Sequence, residues 1–142
     1  MSDASVSRPV PAAPALPTEL LAAATVEPRF DAERLDCYRV ALEFQTLAAR
    51  LLPRRGQAAL RDQLERASVS IVLNIAEAAG RFSPPDKARF FGIARGSATE
   101  CAAIVDILVA RGLAGDAPCR HARGLLLRLV QMLTKLNLRL NR

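Results

Sequence analysis

Beyond residue 30, glycine and proline cluster at only three places, and the wide spacing of these clusters constrains the fold. They fall at residues 53–56, 80–85 and 112–118. The four segments that they separate are each long enough for about five helical turns or more, and none shows the alternation typical of strands. We predict helices over about residues 32–52, 57–79, 84–111 and 117–140. Because short connections join helices that lie side by side, the pattern predicts an all-α, antiparallel up-and-down four-helix bundle over residues 31–142.

Residues 1–30 differ from the rest in composition, since they are rich in alanine and contain five of the nine prolines. Proline fixes its own φ angle and has no backbone N–H, so this segment is predicted to be an extended or disordered arm. Its prolines interrupt every apolar stretch that a secretion signal requires, and no run in the chain approaches the ~20 apolar residues of a membrane span. With an odd number of cysteines, three, we expect a cytoplasmic protein with reduced thiols and no membrane association.

Several residues have strong preferences for helix ends. Asp31 is placed to cap the first helix. Ser83 is placed to cap the third helix, with Pro84 at its first position and Asp86 in its first turn. Gly112 is suited to end the third helix, because glycine readily adopts the left-handed conformation that follows many helices.

The second helix has apolar residues on two nearly opposite faces. One face is predicted to join the core and contains Leu60, Leu64, Ala67, Ile71, Ile75 and Ala78. The other contains Val69, Val72, Leu73 and Ala76. No helix is central in a four-helix bundle, so the second face needs another partner. We therefore predict a homo-oligomer in which this face is the subunit interface.

A polar stripe runs between these two faces. It consists of Arg66, Ser70, Asn74, Glu77 and Arg81, with Ser97 and Glu100 as counterparts on the third helix. We predict a buried structural network that holds the helices in register. The alternative is that the two glutamates share a metal ion or a proton, but bundles of that kind pair Glu with His three residues away, and no such His is present. We predict no metal and no cofactor.

The whole excess of positive charge lies beyond residue 116, in the fourth helix and the two residues after it. Residues 1–116 contain 14 basic and 14 acidic side chains, whereas the remainder contains six basic residues and no acidic one: Arg120, Arg123, Arg128, Lys135, Arg139 and Arg142. Arg128, Lys135, Arg139 and Arg142, together with Gln131, follow a different face from the apolar seam of Leu126, Leu129, Leu133, Leu136 and Leu140. A basic stripe of this kind attracts polyanions such as nucleic acid. The alternative is that these residues only complement the helix dipole and keep the protein soluble.

The residues that catalysis most often uses are not arranged for it. His121 is the one histidine, and no nucleophile or carboxylate lies at a sequence spacing from it that would indicate a catalytic pair. Cys37, Cys101 and Cys119 are too scattered for a zinc or redox motif. We predict a protein that is not an enzyme and has no catalytic residue.

Two sequence segments resemble a known family. These are QLERASVSIVLNIAE at residues 63–77 with Gly80, Arg81, Arg89-Phe90-Phe91, Ile93-Ala94, Gly96-Ser97 and Glu100 after it, and LDCYRVA at residues 35–41. The chain resembles the four-helix bundle proteins encoded in intervening sequences of 23S rRNA genes. That family includes the accessory variability protein of diversity-generating retroelements, a ring of five bundles whose basic surface engages reverse transcriptase and nucleic acid. The resemblance implies a ring-shaped homopentamer and assigns no catalytic site.

Two functions remain open on the sequence. The first is a non-enzymatic oligomeric adaptor that holds the phosphate backbone of RNA or DNA through the basic stripe, together with a reverse transcriptase or another nucleic-acid enzyme. The alternative is an oligomeric scaffold that binds a protein partner through the N-terminal arm or the basic face and has no role with nucleic acid.

Overall fold

The computed structural model describes residues 29–52 and 54–142, and this part of the chain is all-α. A short 3-10 helix, Asp31–Arg34, precedes four α-helices: α1 (Asp36–Leu51), α2 (Ala58–Gly80), α3 (Pro84–Ala110) and α4 (Asp116–Leu140). No strand occurs within the described ranges. The prediction of an all-α chain with four helices is therefore confirmed. Apart from its last two residues, the predicted arm at residues 1–30 lies outside the described residues, as does Pro53.

The start of the first helix differs from the prediction. Asp31 does not cap α1 but lies in the 3-10 helix, and Leu35 then adopts an extended conformation with φ −92° and ψ 130°. The α-helix begins only at Asp36. The reason is tertiary packing, because Ala32 is buried where the 3-10 helix contacts α2, and Leu35 packs against the core. Capping preferences depend only on neighbouring residues, so they do not predict such tertiary contacts.

Both ends of α3 have the capping interactions that the sequence predicts. The Ser83 hydroxyl accepts a hydrogen bond from the Asp86 backbone N–H at 3.3 Å, and Pro84 occupies the first turn. At the other end, Gly112 has φ +64° and its N–H donates to the Val109 carbonyl. The N–H of Leu113 donates to the carbonyl of Leu108 at 2.9 Å, so the last turn closes with both hydrogen bonds of a Schellman motif.

The four helices enclose one core. α1 packs against α2 and α4, and α3 packs against the same two helices. On α2 the predicted core face is buried at Leu64, Ala67, Ile71, Ile75 and Ala78, and Leu60 is half-buried. On α4, Leu126, Leu129 and Leu133 are buried, while Leu136 and Leu140 are half-buried where the helix ends. The periodicity of apolar residues thus identified the buried faces of both helices.

The orientation of α4 predicts that two leucine variants of this helix differ in their free energy of unfolding. Leu129 is fully buried and Leu127 is 59% exposed, two residues away on the same helix. Leu129→Ala leaves a cavity in the core and should lower the free energy of unfolding by about 2–5 kcal/mol. Leu127→Ala should change it by no more than about 0.5 kcal/mol. Urea denaturation of both variants is the measurement, and equal losses would contradict this orientation.

Candidate functional site

The basic residues of α4 are all exposed, but they do not form one surface. At about 100° per residue, Arg128, Lys135 and Arg139 fall within a sector of about 40° around the helix axis, and Arg142 follows two residues after the helix ends. Among the described residues, none of these four forms an ion pair. We call these four residues the basic face. The other two lie elsewhere, since Arg120 is on a different sector and Arg123 pairs with Asp106 of α3 at 2.5 Å.

One end of the basic face borders a cleft. Lys135 and Arg139 line it from α4, and Arg34 lines it from the 3-10 helix. The cleft has a volume of about 260 Å³ and is also lined by Leu35, Asp36, Cys37, Met132 and Leu136. We call it the basic cleft. The sequence did not single out Arg34, because nothing in its neighbours distinguishes it from any other surface arginine, and only the fold brings it to α4.

The neutral members of the polar stripe meet between α2 and α3. The hydroxyl oxygens of Ser70 and Ser97 are 2.9 Å apart, and Ser97 is buried. The Asn74 side-chain amide donates to the Ser70 carbonyl at 2.8 Å and to the Ser70 hydroxyl at 3.0 Å. These three side chains therefore satisfy one another where the two helices pack closely.

The charged members of the stripe are exposed, which corrects the expectation of a wholly buried network. Glu77 pairs with Arg81 on the helix surface, and the Arg81 guanidinium lies 4.8 Å from the centre of the Phe90 ring. Arg66 and Glu100 line a surface cleft of about 280 Å³ together with Ser70 and Ser97. The physical reason is desolvation: long charged side chains reach water at little cost, whereas burying them at the helix contact is unfavourable.

The second apolar face of α2 is divided by the 3-10 helix. Leu73 is 61% exposed and Val69 is 37% exposed. Val72 is instead half-buried against the core of the same chain, and Ala76 is half-buried beside a cavity that Phe30 and Tyr38 also line. The sequence did not predict that this chain would bury Val72 and Ala76 itself. The outward-facing part of the proposed interface is therefore Val69 and Leu73.

The cysteines and the histidine do not form a reactive group. Cys37, Cys101 and Cys119 are buried and unpaired. Burial raises the pKa of the Cys37 thiol to about 11 and that of Cys101 to about 12, and it also raises the pKa of Cys119. Such thiols are scarcely ionised near neutral pH and serve as core packing. His121 is exposed, with its Nε2 3.5 Å from Oε1 of Glu43.

Two further observations concern the chemistry of the described residues. No group of three or more His, Cys, Asp or Glu side chains among them is arranged to hold a metal ion. Within the same ranges, no helix has the length and hydropathy required to cross a membrane.

These features define an all-α protein of four helices with a small, part-buried polar contact between α2 and α3 and a basic face at its surface. The profile of the 23S rRNA-intervening sequence protein family matches residues 33–135, which extend from the 3-10 helix into α4. The chain belongs to this family, and the resemblance inferred from its motifs is confirmed. No curated protein matches the chain.

The contact between the two serines should be measurable as a coupling energy. Because each hydroxyl is a partner of the other, Ser70→Ala and Ser97→Ala should be non-additive by about 0.5–1.5 kcal/mol in the free energy of unfolding. A double-mutant cycle followed by chemical denaturation measures this term. Ser68 supplies the control, since its hydroxyl donates to the Glu65 carbonyl within α2. The combination of Ser68→Ala with Ser97→Ala should be additive, and additivity in both cycles would contradict the contact.

Proposed function

We propose that this protein is a non-enzymatic, oligomeric four-helix bundle that binds the phosphate backbone of RNA or DNA through the basic face. The observation that carries the proposal is that Arg128, Lys135 and Arg139 are exposed on one side of α4, with Arg142 exposed just beyond its end, and that none of the four forms an ion pair among the described residues. Unpaired cations on one face concentrate positive potential there, and releasing counterions from nucleic acid gives affinity without reading its sequence.

The arrangement of α3 and α4 supports an antiparallel bundle in this proposal. Arg95 donates to Thr134 at 2.8 Å, and Arg123 pairs with Asp106. The partner with the higher number on α3 thus meets the residue with the lower number on α4. In such a bundle the whole length of α4 lies at the surface with the basic face directed away from the core.

Self-association is the second part of the proposal, and a ring of five subunits is its preferred form. Support comes from Leu73 and Val69, which are exposed on α2 opposite its buried face. A ring repeats the basic face once per subunit, and simultaneous contacts raise the overall affinity for a long polyanion by a factor of about 10² or more. Such an assembly suits a cytoplasmic adaptor that presents nucleic acid to an enzyme such as a reverse transcriptase.

The basic face is tested by reversing its charge. With Arg128, Lys135 and Arg139 changed to Glu, binding of labelled RNA and duplex DNA should weaken about 100-fold or more at low salt. The slope of log affinity against log salt should become shallower by about three for duplex DNA, because about three phosphate contacts are lost. Titrations at several salt concentrations measure both effects.

The matched control is the triple variant with Arg50, Arg54 and Arg55 changed to Glu. These three residues are also exposed, lie outside the basic face and give the same change in net charge. It should retain most of the wild-type affinity. If both triple variants lose the same amount of affinity for nucleic acid, the change in net charge explains the loss. The basic face would then be refuted as the binding surface. If the intact protein binds no nucleic acid, the scaffold with a protein partner becomes the better function.

The subunit interface is tested by placing a charge on it. Leu73→Glu should lower the molecular mass in sedimentation toward that of a monomer while the helical content is unchanged, because an unpaired charge at a buried contact is unfavourable. Leu42, which is 42% exposed on α1, supplies the control variant Leu42→Glu, and this should leave the mass unchanged. A monomeric wild-type protein would overturn this part of the proposal.

A further inference from the structure

We propose that the basic cleft binds one nucleotide of a single-stranded nucleic acid, with Arg34, Lys135 and Arg139 holding its phosphate and the apolar lining contacting its sugar and base. This inference rests on the proposed function, and it names the part of the nucleic acid that the basic face recognises. It also adds Arg34, which is not on α4, to the residues that bind.

Three cations from two separate elements line this one cleft. Arg34 comes from the 3-10 helix, while Lys135 and Arg139 are about one helical turn apart near the end of α4. Among the described residues none of the three forms an ion pair. Cations gathered around a small cleft repel one another, and a bound anion removes that repulsion.

The one carboxylate in the cleft does not cancel this charge. Asp36 lines the cleft, but its carboxylate is already paired with the guanidinium of Arg39 at the helix surface. The lining thus holds three cations against one carboxylate, which leaves it a net charge of +2. The site therefore favours an anion, and guanidinium groups match the oxygen atoms of a phosphate with parallel hydrogen bonds.

The remaining lining is apolar, which distinguishes this cleft from a bare patch of charge. Leu35, Met132 and Leu136 are half-buried, and Cys37, which also lines the cleft, is buried. Aliphatic groups and a polarizable thioether suit the flat face of a base or a ribose. With a volume of about 260 Å³, just below the range of about 300–1,000 Å³ typical of small-ligand sites, the cleft has room for no more than one nucleotide, part of which stays in solvent.

This geometry favours a single strand over a duplex. Within a duplex the bases are stacked and paired, and only phosphates and groove edges reach the protein. A base must leave the stack before it can contact Met132 and Leu136, and in a single strand this requires the least free energy. The basic face alone predicts binding to both forms, whereas the cleft predicts tighter binding of the unpaired strand.

The methionines of this chain provide a selective test. There are two, Met1 and Met132, and Met132 lines the cleft. In protein with ¹³C-labelled methionine methyl groups, adenosine 5′-monophosphate should shift the Met132 signal saturably. Adenosine and inorganic phosphate, added separately, should each produce a weaker response because each fills half of the site. An equal response to inorganic phosphate would overturn the assignment to a nucleotide.

Variants then separate the cleft from the basic face. Arg34→Gln should weaken the response to adenosine 5′-monophosphate about tenfold, since a charge-assisted contact is lost. Arg54→Gln removes an exposed arginine elsewhere and should leave the response unchanged. In parallel, a single-stranded oligonucleotide should bind the wild-type protein more tightly than a duplex of the same length, and Arg34→Gln should remove most of that difference.

Failure of this inference differs from failure of the proposed function. In one outcome RNA binds and charge reversal of the basic face abolishes binding, but the Met132 signal does not shift and Arg34→Gln binds oligonucleotides like Arg54→Gln. The cleft is then refuted as a nucleotide site, and the proposed function stands. If no nucleic acid binds while adenosine 5′-monophosphate still shifts Met132, the proposed function is refuted and the cleft is a site for a free nucleotide.

Discussion

The packing of α3 between α2 and α4 is the contact on which the rest of the structure depends. α3 touches both of these helices, and small residues on its buried side, Ala94, Ser97 and Ala98, allow close approach. Close packing of this kind fixes the rotation of each helix, since a different rotation would leave voids in the core. The direction of the basic face on α4 is thus a consequence of packing on its opposite side.

A second constraint is the short 3-10 helix before α1. By packing on α2 it covers Ala76, so part of an apolar face that would otherwise meet solvent is buried within the same chain. The same four residues carry Arg34 to the end of α4. One local departure from helical geometry therefore narrows the candidate interface between subunits and completes the basic cleft.

Charge and burial are separated throughout the described residues. The part-buried polar contact between α2 and α3 is made by neutral side chains, Ser70, Asn74 and Ser97, whereas Glu77 and Arg81 pair at the surface. Neutral partners satisfy their hydrogen bonds without the desolvation that a buried ion pair requires. The ionised groups remain in solvent, where a change of charge has little effect on the free energy of folding.

What the sequence by itself determined is the local part of this structure. Spacing of apolar residues identified the helices and the buried side of α4, and end preferences located Ser83 and Gly112, because these signals depend on neighbours within one or two turns. The family also followed from short motifs. Only the tertiary structure decided that α1 starts at Asp36, that Val72 turns inward and that Arg34 meets Lys135. Each of these features depends on contacts between residues far apart in the chain. The periodicity of a segment does not predict which distant surface it will pack against.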